Sequence, residues 1–403
     1  MRKIFTIFFF LCIPIFLTGC WNHKELTDIG IVAAVGIDKG DYLKYKMTFQ
    51  IINQRNVSGT QQSSGLTGPP VTIYQSEGNN MLEAARNSLQ HVSRQMYFAH
   101  ANLLVISEEV AREGIGDILD LSIRSPDFRA TASVVIAKDA KAGDILSTLT
   151  PVDQIPANKV NKLLDYSEML LGKSIQISVG ELVSIIQSKG SEGIINGFVI
   201  RGDEEKKAED TNLMSTKPLA TLNADGIGIF NSDRLITWAN GTEARGINWI
   251  INNLKSTIVN FDWNNKKDAI GVTVSLTKAK IKADIKNNKP HIKVHVDVEG
   301  NLTESTTFID LSKSSEVIKI QKAMSKEIHD ELQESIAFAQ KHKADVFGFG
   351  DKISHIDEDY WKKVENDWQD KIFPYLDVDV EVNGFIRRTG LISKPFIFED
   401  KKE

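Results

Sequence analysis

The chain has 403 residues, 41% of them hydrophobic and 25% charged, with 48 Lys and Arg against 53 Asp and Glu for a formal charge of −5. These are ordinary proportions for folded globular protein, so long disorder is excluded, and the mildly acidic balance disfavours nucleic acid as a partner. The length is too great for one core to be the default, and two or three domains are expected.

At the N-terminus, Arg2 and Lys3 precede an apolar run over 4–17 that is broken only by Thr6 and Pro14, followed by Thr18-Gly19-Cys20. This is the basic, apolar and small-residue sequence of a secretory leader. A membrane-spanning helix, which needs roughly 20 apolar residues, fits less well. A cysteine at the cut makes the segment a lipoprotein signal peptide: residues 1–19 are expected to be removed and Cys20 to carry a diacylglyceryl thioether. Two acyl chains, at about 0.8 kcal/mol per buried methylene, make a stable anchor. Cys12 leaves with the leader and Cys20 is consumed by the lipid, so neither disulfide nor thiolate chemistry remains. The leader also removes two positive charges, so attachment to the membrane rests on the lipid and not on a basic surface.

Residues 20–200 read as an N-terminal α/β region of one or two subdomains. Strands are predicted over 29–37 and 45–52, joined through Asp38-Lys39-Gly40-Asp41 as a hairpin. Residues 55–70, rich in Gly, Ser, Gln and Thr, predict a mobile loop. A strand over 71–74 precedes helical spacing of Met81, Leu82, Ala85, Leu89, Val92 and Met96 across 79–96. A strand over 103–106 runs into Ser107, which is placed to cap a helix opened by Glu108 and Glu109. A strand over 132–137 and helices over 158–171 and 180–188 continue the alternation.

Residues 201–218, with Asp203-Glu204-Glu205-Lys206-Lys207 and few apolar side chains, read as an inter-domain linker. Residues 219–403 follow as a C-terminal α+β domain. Segments 224–230 and 234–238 flank the turn Asn231-Ser232-Asp233, and a helix is expected over 243–254. Apolar residues sit at even positions from Val272 to Leu276 and at odd ones from Ile281 to Ile285, which predicts a β-bulge near Thr277. Val317, Ile320, Met324, Ile328, Leu332, Ile336 and Ala339 mark one long amphipathic helix over 315–344, laid across an antiparallel sheet. The last strand alternates Leu376, Val378, Val380 and Val382 with Asp377, Asp379 and Glu381. The fold class is therefore α+β and multi-domain, with mixed and antiparallel sheets flanked by helices.

Catalytic and metal motifs fail on spacing. Gly172-Lys173-Ser174 lacks the glycine that a phosphate loop needs at position 167, which is Ser167. The acids at 377, 379 and 381 have valines between them and Val382 where a calcium loop requires glycine, so they read as the wet face of a strand. His291 and His295 are separated on their strand face by Lys293, which argues against zinc. No catalytic residue, cofactor site or metal site is assigned.

Three blocks, taken together, resemble the Ger(x)C family, the lipoprotein C subunit of nutrient germinant receptors of spore-forming bacteria. They are Cys20-Trp21-Asn22-His23-Lys24-Glu25-Leu26 running into IGIVAAVGIDK, then GIGIFNSDRLITWANGTEARGINWI, then ADVFGFGDKI with YWKKVENDWQDKIFPYLDVDVEVNGFIRRTG. The resemblance spans essentially the whole mature chain, in the family's order. It implies a non-enzymatic, palmitate-bearing lipoprotein at the cell membrane, on the extracytoplasmic face of the inner spore membrane. It implies integral-membrane partners, a transporter-like B-type subunit and an A-type subunit, and a function in the germination response. The alternative from another class is an extracytoplasmic solute-binding lipoprotein, which needs a deep cleft. Phe347 and Phe349, within the third block, are candidates either for packing beneath a helix end or for partner contact.

Overall fold

The computed structural model describes residues 28–57 and 68–388. The leader, Cys20 and most of the loop predicted over 55–70 lie outside the described residues.

Two sheets organise the chain. The first is mixed, in the order β3-β2-β1-β5-β6-β7-β8-β9 with β4 also paired to β1. Its strands are β1 (Ile29–Lys39), β2 (Tyr45–Ile52), β3 (Val71–Gly78), β4 (Gln95–Tyr97), β5 (Leu103–Ser107), β6 (Ser133–Ala137), β7 (Ile194–Gly202), β8 (Ala220–Asn231) and β9 (Arg234–Ala239). Strands β1, β5, β6 and β7 are parallel, and antiparallel strands close both edges. Every residue of β5 and β6 is buried, because helices cover both faces of a parallel strand and leave it no wet side.

On one face lie α1 (Met81–Asn87), α2 (Glu108–Glu113), α3 (Gly116–Arg124) and α6 (Val179–Gln187), packed on Leu104 and Ile106. On the other lie α4 (Ala142–Ser147) and α5 (Pro156–Leu171), packed on Leu103 and Val105. The helical spacing predicted over 79–96 overran. Helix α1 stops at Asn87, a 3-10 turn follows, and Gln95–Tyr97 extend along β1, so pairing to a strand overrides local periodicity there. Gly172, the glycine of the rejected phosphate motif, ends α5 in the left-handed region at φ 64.

The segment 201–218 does not separate two sheets. Helix α7 (Asp210–Met214) sits within it, and buried Asn212 donates Nδ2 to Leu149 O at 2.8 Å and Ala220 O at 3.1 Å while its Oδ1 accepts from Ala220 N at 3.0 Å. Beyond it, β8 returns antiparallel to β7, so the first sheet runs straight across the expected linker. The chain leaves that sheet only after Ala239, through α8 (Gly241–Ile250).

The second sheet runs β10 (Thr257–Trp263), β11 (Lys266–Lys286), β12 (Lys289–Ser305) and β13 (Asp377–Arg388). The register slips between Val274 and Leu276, so the bulge falls at Ser275, two residues before the expected place. Asn287 and Asn288, both at positive φ (51° and 60°), turn β11 into β12. The sheet is antiparallel as far as β12, but β13 joins β12 in parallel. A parallel partner requires a crossover, and α9 (Ser314–Lys341) with α10 (Phe349–Ile356) and α11 (Glu358–Val364) supplies it. Helix α9 buries Ile320, Met324, Ile328, Leu332, Ile336 and Ala339 of the stripe read from the sequence, while Val317, its first member, is half-buried. It meets α8 where Gly246 faces Ser335 and Glu331, and Glu331 takes Arg245 and the Trp249 indole as partners.

Candidate functional site at the seam between the sheets

The loop from α9 into α10 carries the buried acid around which the two sheets are joined. Asp345 is 0% exposed. Its Oδ1 accepts from the amides of Phe347 at 3.2 Å and Phe349 at 3.1 Å, and its Oδ2 from Gly350 N at 2.8 Å and the Trp368 indole at 2.9 Å. Its own amide donates to Gln369 Oε1 at 2.8 Å, and its carbonyl accepts from Glu192 N at 2.9 Å. One residue thus ties together the N-terminus of α10, the π-helical turn Trp368–Ile372 and the stretch leading into β7. The acid can be buried because four N–H donors replace its water shell.

Glu192 stands across the seam, 8% exposed, with Oε2 accepting from Ser232 N at 2.6 Å. Burial pushes its carboxyl up to about 7; the Ser232 bond opposes the rise and the nearby Asp345 adds to it. Burial raises Asp345 as well, to about 6, against the pull of its four donors. Around the pair, Ser188 bonds to Asp351, Lys189 pairs with Glu365 at 2.7 Å, and the backbones of Gly190 and Gly350 touch. Gly348 takes φ 70 to open α10. The long helix ends earlier, with Lys343 at φ 55, so the glycines of this block start a helix and do not stop one.

Phe347 and Phe349, held open above as packing or partner residues, are 5% and 0% exposed. Their rings stack at 5.0 Å, and Phe349 meets Phe373 at 6.4 Å. They belong to the core, so the partner-contact reading is corrected: Phe349 has no accessible surface and Phe347 too little to anchor a partner. The other predicted site residue, Cys20, lies outside the described residues.

Chemically the seam is a lock. The Asp345 carboxyl is enclosed by three peptide donors and the Trp368 indole, with Trp361 edge-on to Trp368 at 5.3 Å, and the Glu192 carboxyl is buried against the Ser232 amide. On the outer face of the second sheet, the acids read as a wet strand face do take the solvent side, with Asp379 3.2 Å from His291 and Glu381 2.8 Å from Lys293. A cleft of about 650 Å³ lies at the tip of that sheet, lined by Lys289, His291, Tyr360, Lys371, Ile372 and Tyr375 among others. Among the described residues, no helix is long and apolar enough to cross a membrane.

Residues 22–199 match the family described as spore germination protein N-terminal domain, and residues 225–390 match spore germination B3/GerAC like, C-terminal. Spore germination protein KC of Bacillus subtilis (strain 168) is 37% identical over 406 residues, covering 100% of both chains. The chain belongs to this spore germination family. Spore germination protein B3 of the same organism is 23% identical, over 97% of this chain and 98% of that one. The crystal structure of the GerBC protein superposes with a TM-score of 0.55 at 19% identity, over 88% of this chain and 97% of that one, which shows the fold. In this germination-family chain the first match ends inside β7 and the second begins inside β8, two strands paired in one sheet. The seam draws Lys189, Gly190 and Glu192 from the first match and Asp345, Gly350 and Glu365 from the second.

Asp345, Glu192 and Gly190 were not singled out from the sequence. The one available signal for Asp345 was its place directly before Val346-Phe347-Gly348-Phe349-Gly350, an acid ahead of a run of free amides.

Proposed function

We propose that this chain is the lipid-anchored, non-enzymatic C subunit of a spore nutrient germinant receptor, docking on the integral-membrane A-type and B-type subunits at the extracytoplasmic face of the inner spore membrane. The observation that carries the reading is end-to-end identity of 37% with spore germination protein KC, with no part of either chain left over. The lipoprotein leader over 1–19, directly before Cys20, supports attachment. The enclosed carboxyls of the seam support a structural and not a catalytic use of its acids. The test pairs two measurements on a Cys20→Ala variant in the spore-former: fatty-acid labelling of the protein, and germination in response to nutrients. Loss of both is expected. Label retained on the variant would overturn the anchor, and a normal nutrient response in spores lacking the whole chain would overturn the receptor assignment.

A second reading, direct capture of a small solute, is favoured by the cleft of about 650 Å³, a size within the 300–1,000 Å³ range of small-molecule sites. Calorimetric titration of the mature chain with amino acids and sugars tests it, and heat abolished by Tyr375→Ala would support it.

A further inference from the structure

Helix α5 buries one face and leaves another apolar. Ala157, Val160 and Leu164 pack on the first sheet, whereas Tyr166, Met169, Leu170 and Leu171 are 60%, 42%, 53% and 52% exposed. Tyr166, Met169 and Leu170 stand at i, i+3 and i+4 and form one ridge along the last turns of the helix. Solvent-exposed helix faces are normally polar, and an apolar ridge marks a surface that something covers. The helix end abuts the second sheet, where Thr257 Oγ1 donates to Leu171 O at 2.8 Å and the next residue, Ile258, is 51% exposed. Exposed Lys173 and Lys255 flank the point where Gly172 meets Leu254. Of the two acids on these turns, Glu168 is turned inward to accept from Gln176 N at 2.7 Å, and Asp165 is exposed.

The place where the chain enters the fold indicates what covers the ridge. Strand β1 begins at Ile29, while its parallel neighbour β5 begins opposite Ala34, so the chain enters at the end of the sheet where the parallel strands start. Helix α5 is fastened at that same end, with Asn158 and Asn161 bonded to Asn102, the residue before β5, at 3.1 Å and 3.2 Å. Cys20 lies eight residues before Asp28, a span of at most about 29 Å. A lipid on Cys20 therefore holds this end of the molecule against the bilayer.

We propose that the α5 ridge is a bilayer-contact surface, on which the tethered protein rests against an anionic membrane. The orientation rests on the lipid-anchored reading above. The apolar side chains enter the boundary between headgroups and acyl chains, and Lys173 and Lys255 remain at the phosphates. The contact turns a loose tether into a fixed stance, with the first sheet standing on the membrane by the end where its parallel strands start.

The test uses the mature chain, residues 20–403, with Cys20→Ser so that no acyl chain contributes, mixed with vesicles of phosphatidylcholine and phosphatidylglycerol and separated by flotation. The parent is expected to float with the vesicles at low salt. Met169→Asp with Leu170→Asp should cut that association about tenfold or more, with melting unchanged, because both residues are on the surface. Tyr166→Ser, a milder change, should give a partial loss. Lys173→Glu with Lys255→Glu should remove the part that depends on salt. A parent that stays in solution, or a double-aspartate variant that floats as well as the parent, overturns the proposal. If that variant floats normally yet its spores fail to germinate, the ridge is a protein contact. Fatty-acid labelling at Cys20 is a separate readout: an unlabelled native chain that still floats through the ridge would sink the anchor and leave the ridge standing.

Discussion

The backbone of Gly350 lies so close to that of Gly190 that a Cβ on Gly350 would stand 2.7 Å from both the Cα and the carbonyl oxygen of Gly190. This contact brings the stretch before β7 within reach of the α10 loop, so that Glu192 N can meet Asp345 O. Gly350→Ala is therefore expected to destabilise the protein by about 1–3 kcal/mol through overpacking, and Gly350→Val by more. Gly348→Ala is the control. Its φ of 70 costs roughly 1–2 kcal/mol for any L side chain, but an added Cβ meets nothing nearer than 3.6 Å. Denaturant titration of the three variants separates crowding from backbone strain. A Gly350→Val protein as stable as Gly348→Ala would remove the close approach as an explanation.

Phe349, fully buried between Phe347 and Phe373, should lose about 3–5 kcal/mol on replacement by alanine. Any germination defect in that variant should then track the loss of folded protein. A purified Phe349→Ala chain that melts with the parent while its spores fail to germinate would contradict the core placement.

What could be read from the sequence was what is local. The alternation of Val272 to Val298 and the stripe from Ile320 to Ala339 follow from periods of two and 3.6 residues, the hairpin around Asn231-Ser232-Asp233 follows from its turn composition, and each stands in the fold. What escaped depends on partners distant in sequence. The parallel direction of β13 is decided by its pairing with β12 from His291 to Asn301, across an intervening crossover. The stretch 201–218 looked like a connector because its charges are solvated, yet one buried asparagine and the return of β8 onto β7 bind it to the sheet. Asp345 is half local: the amides of Phe347, Phe349 and Gly350 lie within five residues, but its burial and its links to the Trp368 indole and Glu192 N depend on elements distant in sequence.

Asn212 offers a test of that correction. Replacing it by alanine leaves the carbonyls of Leu149 and Ala220 and the amide of Ala220 without their partner, at a cost of about 1–3 kcal/mol for each buried group left unsatisfied. Under limited proteolysis the parent should resist cutting near 210–214, and Asn212→Ala should be cut there first. Cleavage of the parent at this segment before any other would restore the linker reading.

The pH dependence of the seam follows from the direction in which its acids are shifted. Glu192 has an ordinary carboxyl value of 4.5 raised to about 7 by burial, so the folded state favours the protonated form. Its contribution to stability is complete below about 4.5 and is lost as pH rises through about 7. Asp345, raised from 3.8 to about 6, acts with the same sign over a lower range. Glu192→Gln keeps an acceptor for Ser232 N and has no proton to lose, so it removes the Glu192 share alone. Each tenfold gain in proton affinity on folding is worth about 1.4 kcal/mol, so that share is on the order of 3 kcal/mol at most. Between pH 5 and 8 the parent should therefore lose stability faster than Glu192→Gln, and amide protection, corrected for the intrinsic rise of exchange with pH, should fall in 188–192 and 345–351 of the parent more than in the variant. Exchange measured over that range reads the seam directly, since the Glu192 N to Asp345 O bond is its backbone link. Two stability curves that stay parallel from pH 5 to 8 would show that Glu192 is ionised throughout, and the seam would then hold a buried carboxylate pair at neutral pH.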